Sequence, residues 1–245
     1  MPGTVPPLFE VAVQNTITQQ VTGRISNWTQ ELCSDAFGIQ LFGPAYYFSF
    51  IYFSLAFALL DEGSATHPPP RLRLKLMSQI LGRLYPDSCF NHDVSAFLKY
   101  WEGQSKKLVS RRDEIVRIAL EGIDCESVLD AIHIETENCI SSDERYGPKK
   151  YTEDVRELDP VLVHAIPPGE RIVNGQFIPT NLSSILNSGW NVQLSNLQGL
   201  ASHLSSSEAA SSYSLRQKLQ ELLIKALEIS ETRRAWEEKR NAAGM

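Results

Sequence analysis

Two acidic residues, Glu31 and Asp35, have the types and spacing in this chain that best fit a chemical site. Residues four apart share one face of an α-helix, so one carboxylate can bind a metal ion while the other supports a neighbouring group. A histidine followed by three prolines, His67, comes about one helix later, and Arg73 lies close behind it. These four residues are the candidate site of the chain.

These residues form an ExxxD pair, followed by a His-Pro step and an arginine. This order resembles the motif pattern of the gluzincin metallopeptidases. That group includes the CAAX-processing proteases of membranes and their soluble bacterial relatives. The resemblance covers about a fifth of the chain. It implies that Glu31 is the third zinc ligand and that Asp35 stabilises its helix. It also implies that His67 and Arg73 are the catalytic residues carried by this part of the family fold.

The HExxH helix that provides the other two zinc ligands in that family has no counterpart in this sequence. All five histidines follow Glu31, and none belongs to an HExxH pattern: His67, His92, His133, His164 and His203. A catalytic zinc site of this kind needs three protein ligands and a bound water, with the Glu of HExxH as general base. We therefore expect a C-terminal fragment or degenerate homologue of a zinc metallopeptidase, inactive alone, that holds zinc only when the HExxH half is supplied.

Two other interpretations stay open. The first is a metal site with two histidines and one carboxylate, formed by His67, His92 and Glu31. The spacing of these residues does not support it, because they lie on different segments. The alternative of a different class is a non-catalytic helical scaffold or regulatory module that binds a protein partner or itself. Four tryptophans and an amphipathic C-terminal helix favour it: Trp28, Trp101, Trp190 and Trp236.

Composition narrows the function classes further. The 245 residues, 42% hydrophobic and 21% charged, are enough to bury a sizeable core. A net charge of −6 argues against a nucleic-acid partner. The four cysteines show no CxxC spacing, so we expect reduced thiols and a cytoplasmic protein: Cys33, Cys89, Cys125 and Cys139. The N-terminus carries no basic segment leading into an apolar run, so a cleaved signal is not expected.

The stretch 37–60 contains no charged residue and is long enough to raise the question of a membrane span. Gln40, the acidic flanks and the absence of adjacent Lys or Arg argue against a span. We expect instead a central apolar helix that Gly43 and Pro44 kink or divide, because proline removes a backbone donor and crowds the preceding turn.

Most of the remaining sequence has helical periodicity, so the predicted fold class is mainly α, an irregular multi-helix bundle around the apolar helix. Apolar residues three or four apart define three of the predicted helices. They are Val13, Ile17, Val21, Ile25, Trp28 and Leu32 in the first, Leu72, Leu76, Ile80 and Leu84 in the helix 71–84, and Leu215, Leu219, Leu222, Leu223, Ala226 and Leu227 in the last. Shorter helical segments are predicted at 94–101, 105–121 and 125–137.

At most a small β-hairpin is expected, near 171–178, with residues 171–173 opposite 176–178 across Asn174 and Gly175. Asn181 is the predicted cap of the following helix. The polar stretch 141–157 marks a loop, which divides the chain into a zincin-like helical part, 1–140, and a helical C-terminal part, 141–245. Residues 205–214 form the predicted flexible connection before the last helix.

Overall fold

The computed structural model describes residues 8–56, 67–68, 70–86, 125–205, 208–209 and 211–243. Within these ranges the first four helices are α1 (Leu8–Phe42), α2 (Pro44–Ala56), α3 (Pro70–Leu84) and α4 (Cys125–Cys139). There follow α5 (Pro148–Glu157), α6 (Asp159–Val163), β1 (Glu170–Val173), β2 (Gln176–Pro179), α7 (Leu182–Ser195), α8 (Leu197–Ala201) and α9 (Ser212–Ala242). The predicted class, mainly α with a small hairpin, is confirmed. The segments predicted at 94–101 and 105–121 lie outside the described residues.

The chain divides into two compact units. The first unit consists of Met1–Phe37, Phe50–Arg83 and Cys89–Ile140, and the second of Gly38–Ser49, Leu84–Ser88 and Ser141–Met245. The units are interleaved along the sequence, because two short early segments belong to the second. The division of the chain into two domains, 1–140 and 141–245, stays a prediction.

Gly43 and Pro44 divide the apolar stretch into two helices, as the sequence predicts. Gly43 has a left-handed φ of 61° and its N–H donates to Ile39 O at 2.7 Å, which ends α1. Pro44 then occupies the first position of α2, where its missing N–H costs nothing. Asn187 on α7 holds this corner, because its side chain accepts from Ala45 N at 2.9 Å and donates to Phe42 O at 2.7 Å.

Within the parts of the chain that the structure describes, no helix has the length and hydrophobicity needed to cross a membrane. The predicted apolar helix corresponds to the end of α1 and to α2, and residues 57–60 of the charge-free stretch lie outside the described ranges.

In the first unit, α3 begins at Pro70 and buries a broader face than its leucine spacing predicts. Leu76 and Ile80 are buried as expected, whereas Leu72 and Leu84 are only half-buried. The most deeply buried side chains of the helix are instead Leu74, Met77 and Leu81, each fully inaccessible to solvent. A helix with apolar residues on adjoining faces can turn either face inward, so the i, i+4 count alone misplaced the centre of the buried face.

In the second unit, the core is built from α6, α7, α8 and α9. Its buried residues are Leu162, Val192, Leu200, Leu219 and Leu222. The predicted stripe of α9 faces this core, because Leu215 and Ala226 are buried as well.

Helix α9 begins earlier than predicted, at Ser212, because the Ser211 and Ser214 side chains each accept a hydrogen bond from the other residue's backbone N–H. The connection predicted at 205–214 is therefore too long.

The hairpin has the predicted register. Arg171 pairs with Ile178, Ile172 with Phe177 and Val173 with Gln176. Asn174 and Gly175 both have positive φ, 51° and 78°, which is the backbone that a tight two-residue hairpin turn requires.

Two local predictions need correction. The loop predicted at 141–157 is shorter, because α5 begins at Pro148, a residue well suited to the first helical position. Asn181 does precede α7, but its side chain makes no cap hydrogen bond. Its Oδ1 instead accepts from Arg234 NH2 at 3.4 Å, so the helix start is positioned by a contact from α9.

The second unit also buries a carboxyl group, Asp159, at the start of α6. Burial raises its pKa to about 6, although hydrogen bonds donated by the Ser188 hydroxyl and the Asn191 amide oppose that rise. Asp154 nearby adds to the increase by charge repulsion. The folded state therefore binds this proton more tightly than the unfolded chain does. The stability contributed by Asp159 is complete below its unfolded pKa near 3.8 and is lost as the pH rises through about 6.

We predict that Asp159→Asn raises the free energy of unfolding at pH 8 by up to roughly 3 kcal/mol, which corresponds to about two pKa units. The amide oxygen accepts from the Asn191 amide and the amide NH2 donates to the Ser188 hydroxyl, which reverses its direction, so the site stays hydrogen-bonded without the cost of a buried charge. Urea unfolding followed by tryptophan fluorescence at pH 4 and pH 8 measures the effect, with the exposed Asp143→Asn as control. A variant that is less stable than wild type at pH 8 would contradict the prediction.

Candidate functional site

The four residues singled out from the sequence lie together in the first unit. Glu31 and Asp35 project from α1, Arg73 from the first turn of α3, and His67 from the segment just before α3. The guanidinium of Arg73 contacts both acids, and the imidazole of His67 contacts Glu31. Residues distant in sequence thus form one continuous polar cluster.

The Asp35–Arg73 pair is the anchor of this cluster. Arg73 donates from Nε to Asp35 Oδ2 at 2.7 Å and from NH2 to Oδ1 at 2.6 Å. Asp35 is completely buried, the Arg73 side chain is 16% exposed, and the guanidinium carbon lies 4.5 Å from the centre of the Phe50 ring. A bidentate pair of this kind satisfies both charges and fixes the relative position of the two helices.

Glu31 lies one helical turn before Asp35, at the more open side of the same pair. Its Oε2 is 3.3 Å from Arg73 NH1 and its Oε1 is 3.2 Å from His67 Nδ1, and its side chain is 30% exposed. The carboxylate of Glu31 thus lies between the guanidinium of Arg73 and the imidazole of His67. The second ring nitrogen belongs to a side chain that is 62% exposed. The cluster therefore presents one oriented carboxylate and one accessible imidazole.

Sequence reasoning identified the polar members of this cluster but missed its apolar support. Phe50 lies under the guanidinium of Arg73, and Pro68, next to His67, is buried. Phe50 belongs to a run of aromatic and aliphatic residues in which nothing distinguishes one ring from the next. Pro68 does carry a signal, since it directly follows the histidine of the motif. The chemical roles assigned to Glu31, Asp35, His67 and Arg73 stay predictions.

The cluster provides one ligand for a zinc site, Glu31, and no more. Glu31 offers carboxylate oxygens of the type zinc accepts, and its side chain is oriented by neighbours, as metal ligands usually are. Across the residues that the structure describes, no group of three or more His, Cys, Asp or Glu side chains could hold a metal ion. His92, a member of the alternative two-histidine set, lies outside those residues.

The cysteine near the site is not an activated nucleophile. Cys33 is a half-buried free thiol on α1. Burial raises the pKa of this thiol, and the charge of Glu135 raises it further. A reactive cysteine needs the opposite shift, toward the thiolate at neutral pH. Cys139 is also a free thiol.

The chain matches no protein-family model, no curated protein and no solved structure. The functional interpretation therefore rests on the residues of the cluster and on their order in the sequence.

We predict that Asp35→Asn lowers the free energy of unfolding of the first unit by about 3–5 kcal/mol, because it leaves the Arg73 charge buried without its carboxylate. The matched control is Asp130→Asn, which removes an exposed ion pair with Arg83 and should change stability by less than about 1 kcal/mol. Chemical denaturation followed by circular dichroism measures both. Equal effects of the two substitutions would show that the Asp35–Arg73 pair is not the anchor of the cluster.

Proposed function

We propose that this chain contributes the carboxylate part of a divided gluzincin-type zinc site, with Glu31 as its one metal ligand. The observation that carries the proposal is the arrangement around Glu31: Arg73 contacts its Oε2, and His67 contacts its Oε1. The two histidines of an HExxH helix come from a polypeptide segment outside these 245 residues. The chain alone is accordingly inactive.

The burial of the cluster supports this division of roles. Arg73 is committed to Asp35 through two short hydrogen bonds and also reaches Glu31, so its charge is already compensated. It acts as a positioning residue that holds the ligand helix in place. Asp35 in turn holds Arg73, and neither needs to touch a substrate.

His67 has the accessibility that a substrate contact requires, since most of its side chain is exposed while Nδ1 is fixed by Glu31. Its other ring nitrogen can accept a hydrogen bond from a polar group of a bound peptide. Zinc, when bound, would polarise a substrate carbonyl and lower the pKa of a water molecule. Glu31 orients His67 toward that chemistry.

The proposal predicts that Glu31 tightens metal binding when an HExxH sequence is present. In a fusion that joins an HExxH helix to the chain through a flexible linker, Zn²⁺ should bind at least about tenfold more tightly than in the same fusion with Glu31→Gln. Competition with a chromogenic chelator measures the dissociation constants. The control, Glu238→Gln, removes an exposed glutamate of α9 and should leave the constant unchanged.

Equal Zn²⁺ affinity in the wild-type and Glu31→Gln fusions would contradict the proposal. Circular dichroism of the two fusions shows whether both keep the same helical content, so that a folding defect is not read as a lost ligand.

A second candidate function, self-association, is favoured by the hairpin surface. Ile172 and Phe177 are opposite one another in the hairpin and are 66% and 54% exposed. Paired apolar side chains left exposed on a two-stranded sheet are typical of a contact surface. The occupant in this reading is a second copy of the chain.

This second candidate predicts that wild-type protein dimerises and that Phe177→Lys shifts the equilibrium toward monomer by at least about tenfold, since the charge would be buried in the contact. Sedimentation equilibrium measures the association. Tyr213→Lys, at a side chain of the same unit that is 74% exposed, is the matched control. Wild-type protein that stays monomeric at about 100 μM, the dissociation constant of a weak dimer, would rule the candidate out.

A further inference from the structure

Two histidines of the second unit, His164 and His203, lie face to face at its surface. Their ring centres are 4.3 Å apart and the ring planes are inclined by 39°. Both residues are exposed. The sequence separates them by about two helices, so the fold alone brings the two imidazoles together. Neither residue belongs to the cluster around Glu31.

The backbone on both sides of this pair is held by the core. His164 directly follows α6, whose Leu162 is fully buried, and its N–H donates to Pro160 O at 3.1 Å. His203 follows α8, whose Leu200 is also fully buried, and its N–H donates to Leu200 O at 3.2 Å. Leu162 and Leu200 are members of one apolar cluster. The backbone positions from which the two side chains extend are therefore set by packed residues.

The hydrogen bonding of His164 leaves one ring nitrogen available for a metal. Its Nδ1 is 2.6 Å from Pro160 O, and a carbonyl oxygen only accepts, so Nδ1 carries the hydrogen. Nε2 then has a lone pair. Metal-binding histidines are usually fixed in this way, with the other ring nitrogen donating to a backbone carbonyl or a carboxylate. His164 is thus in the tautomer that a metal ligand needs.

The ring spacing indicates which coordination geometry fits. For metal–nitrogen bonds of about 2.0 Å, two imidazole centres lie about 4.5 Å apart at a ligand angle of 90° and about 5 Å apart at a tetrahedral angle. The observed 4.3 Å is closest to the first. Tetragonal sites with nitrogen and oxygen ligands are typical of Cu²⁺ and Ni²⁺.

We infer that His164 and His203 form a two-imidazole site for a divalent transition metal of this class, with water in the remaining positions. Both histidines follow the C-terminal end of a helix, where backbone carbonyls favour positive charge. Because neutral imidazole suits late first-row metals and affinity rises toward copper in that series, Cu²⁺ binds more tightly than Ni²⁺, and Ni²⁺ more tightly than Mn²⁺.

Titration of the full chain with Cu²⁺ and with Ni²⁺ by calorimetry tests the site. We expect one tight equivalent, and at least about tenfold weaker binding in His164→Gln and in His203→Gln. His92→Gln is the matched control, since it also removes one histidine from the chain. Unchanged thermal unfolding of the metal-free variants shows that the loss is one of ligands.

The electron paramagnetic resonance spectrum of the Cu²⁺ complex provides a readout that needs no variant. Hyperfine coupling to two equivalent ring nitrogens at one equivalent of Cu²⁺ is the expected result. Coupling to one nitrogen or to none would overturn the inference, because the two rings would then only stack. An equal loss of affinity in His92→Gln would also overturn it.

Discussion

A buried carboxylate must have a partner, and in the first unit that requirement joins α1 to α3. Asp35 has no access to solvent, and Arg73 donates two hydrogen bonds to it that compensate for the lost hydration. The position of Arg73 then determines what the neighbouring groups can do. Glu31 also contacts the guanidinium of Arg73, and the imidazole of His67 in turn contacts Glu31. One desolvated ion pair therefore orients the accessible carboxylate and imidazole of the site.

The second unit contains two buried acids whose hydrogen-bond partners differ in charge. Asp154 is buried and satisfied by Tyr146 OH at 2.7 Å and by Arg171 NH2 at 2.6 Å. Burial raises the pKa of Asp159, and its neutral donors, Ser188 and Asn191, oppose that rise only in part. A charged partner keeps a buried acid ionised, whereas neutral donors do so only in part. The second unit thus contains buried acids in two different electrostatic settings, Asp154 with an arginine partner and Asp159 with neutral donors.

The predictions from sequence hold where the signal is local. The Gly43 break, the hairpin register around Asn174 and the stripe of α9 each follow from residues within a few positions of one another. The candidate site was found because Glu31 and the residues that follow it have recognisable types in a recognisable order.

The features that sequence reasoning missed depend on distant partners. Nothing near Asp159 in the sequence announces Ser188 or Asn191 as its donors. The buried face of α3 was misplaced because apolar residues cover adjoining faces, and only tertiary packing selects Leu74 over Leu72. Composition predicts a flexible connection before α9, although the side chain of Ser211 caps the helix. Composition alone does not distinguish a cap from a connection.

The most direct test of the central claim is the metal content and composition of the protein isolated under native conditions from its own source. Native mass spectrometry measures both at once. The account predicts a species with one zinc ion per chain that also contains an HExxH sequence, either in the same polypeptide or in a bound one. A metal-free species without any HExxH sequence would contradict the assignment of Glu31 as a zinc ligand.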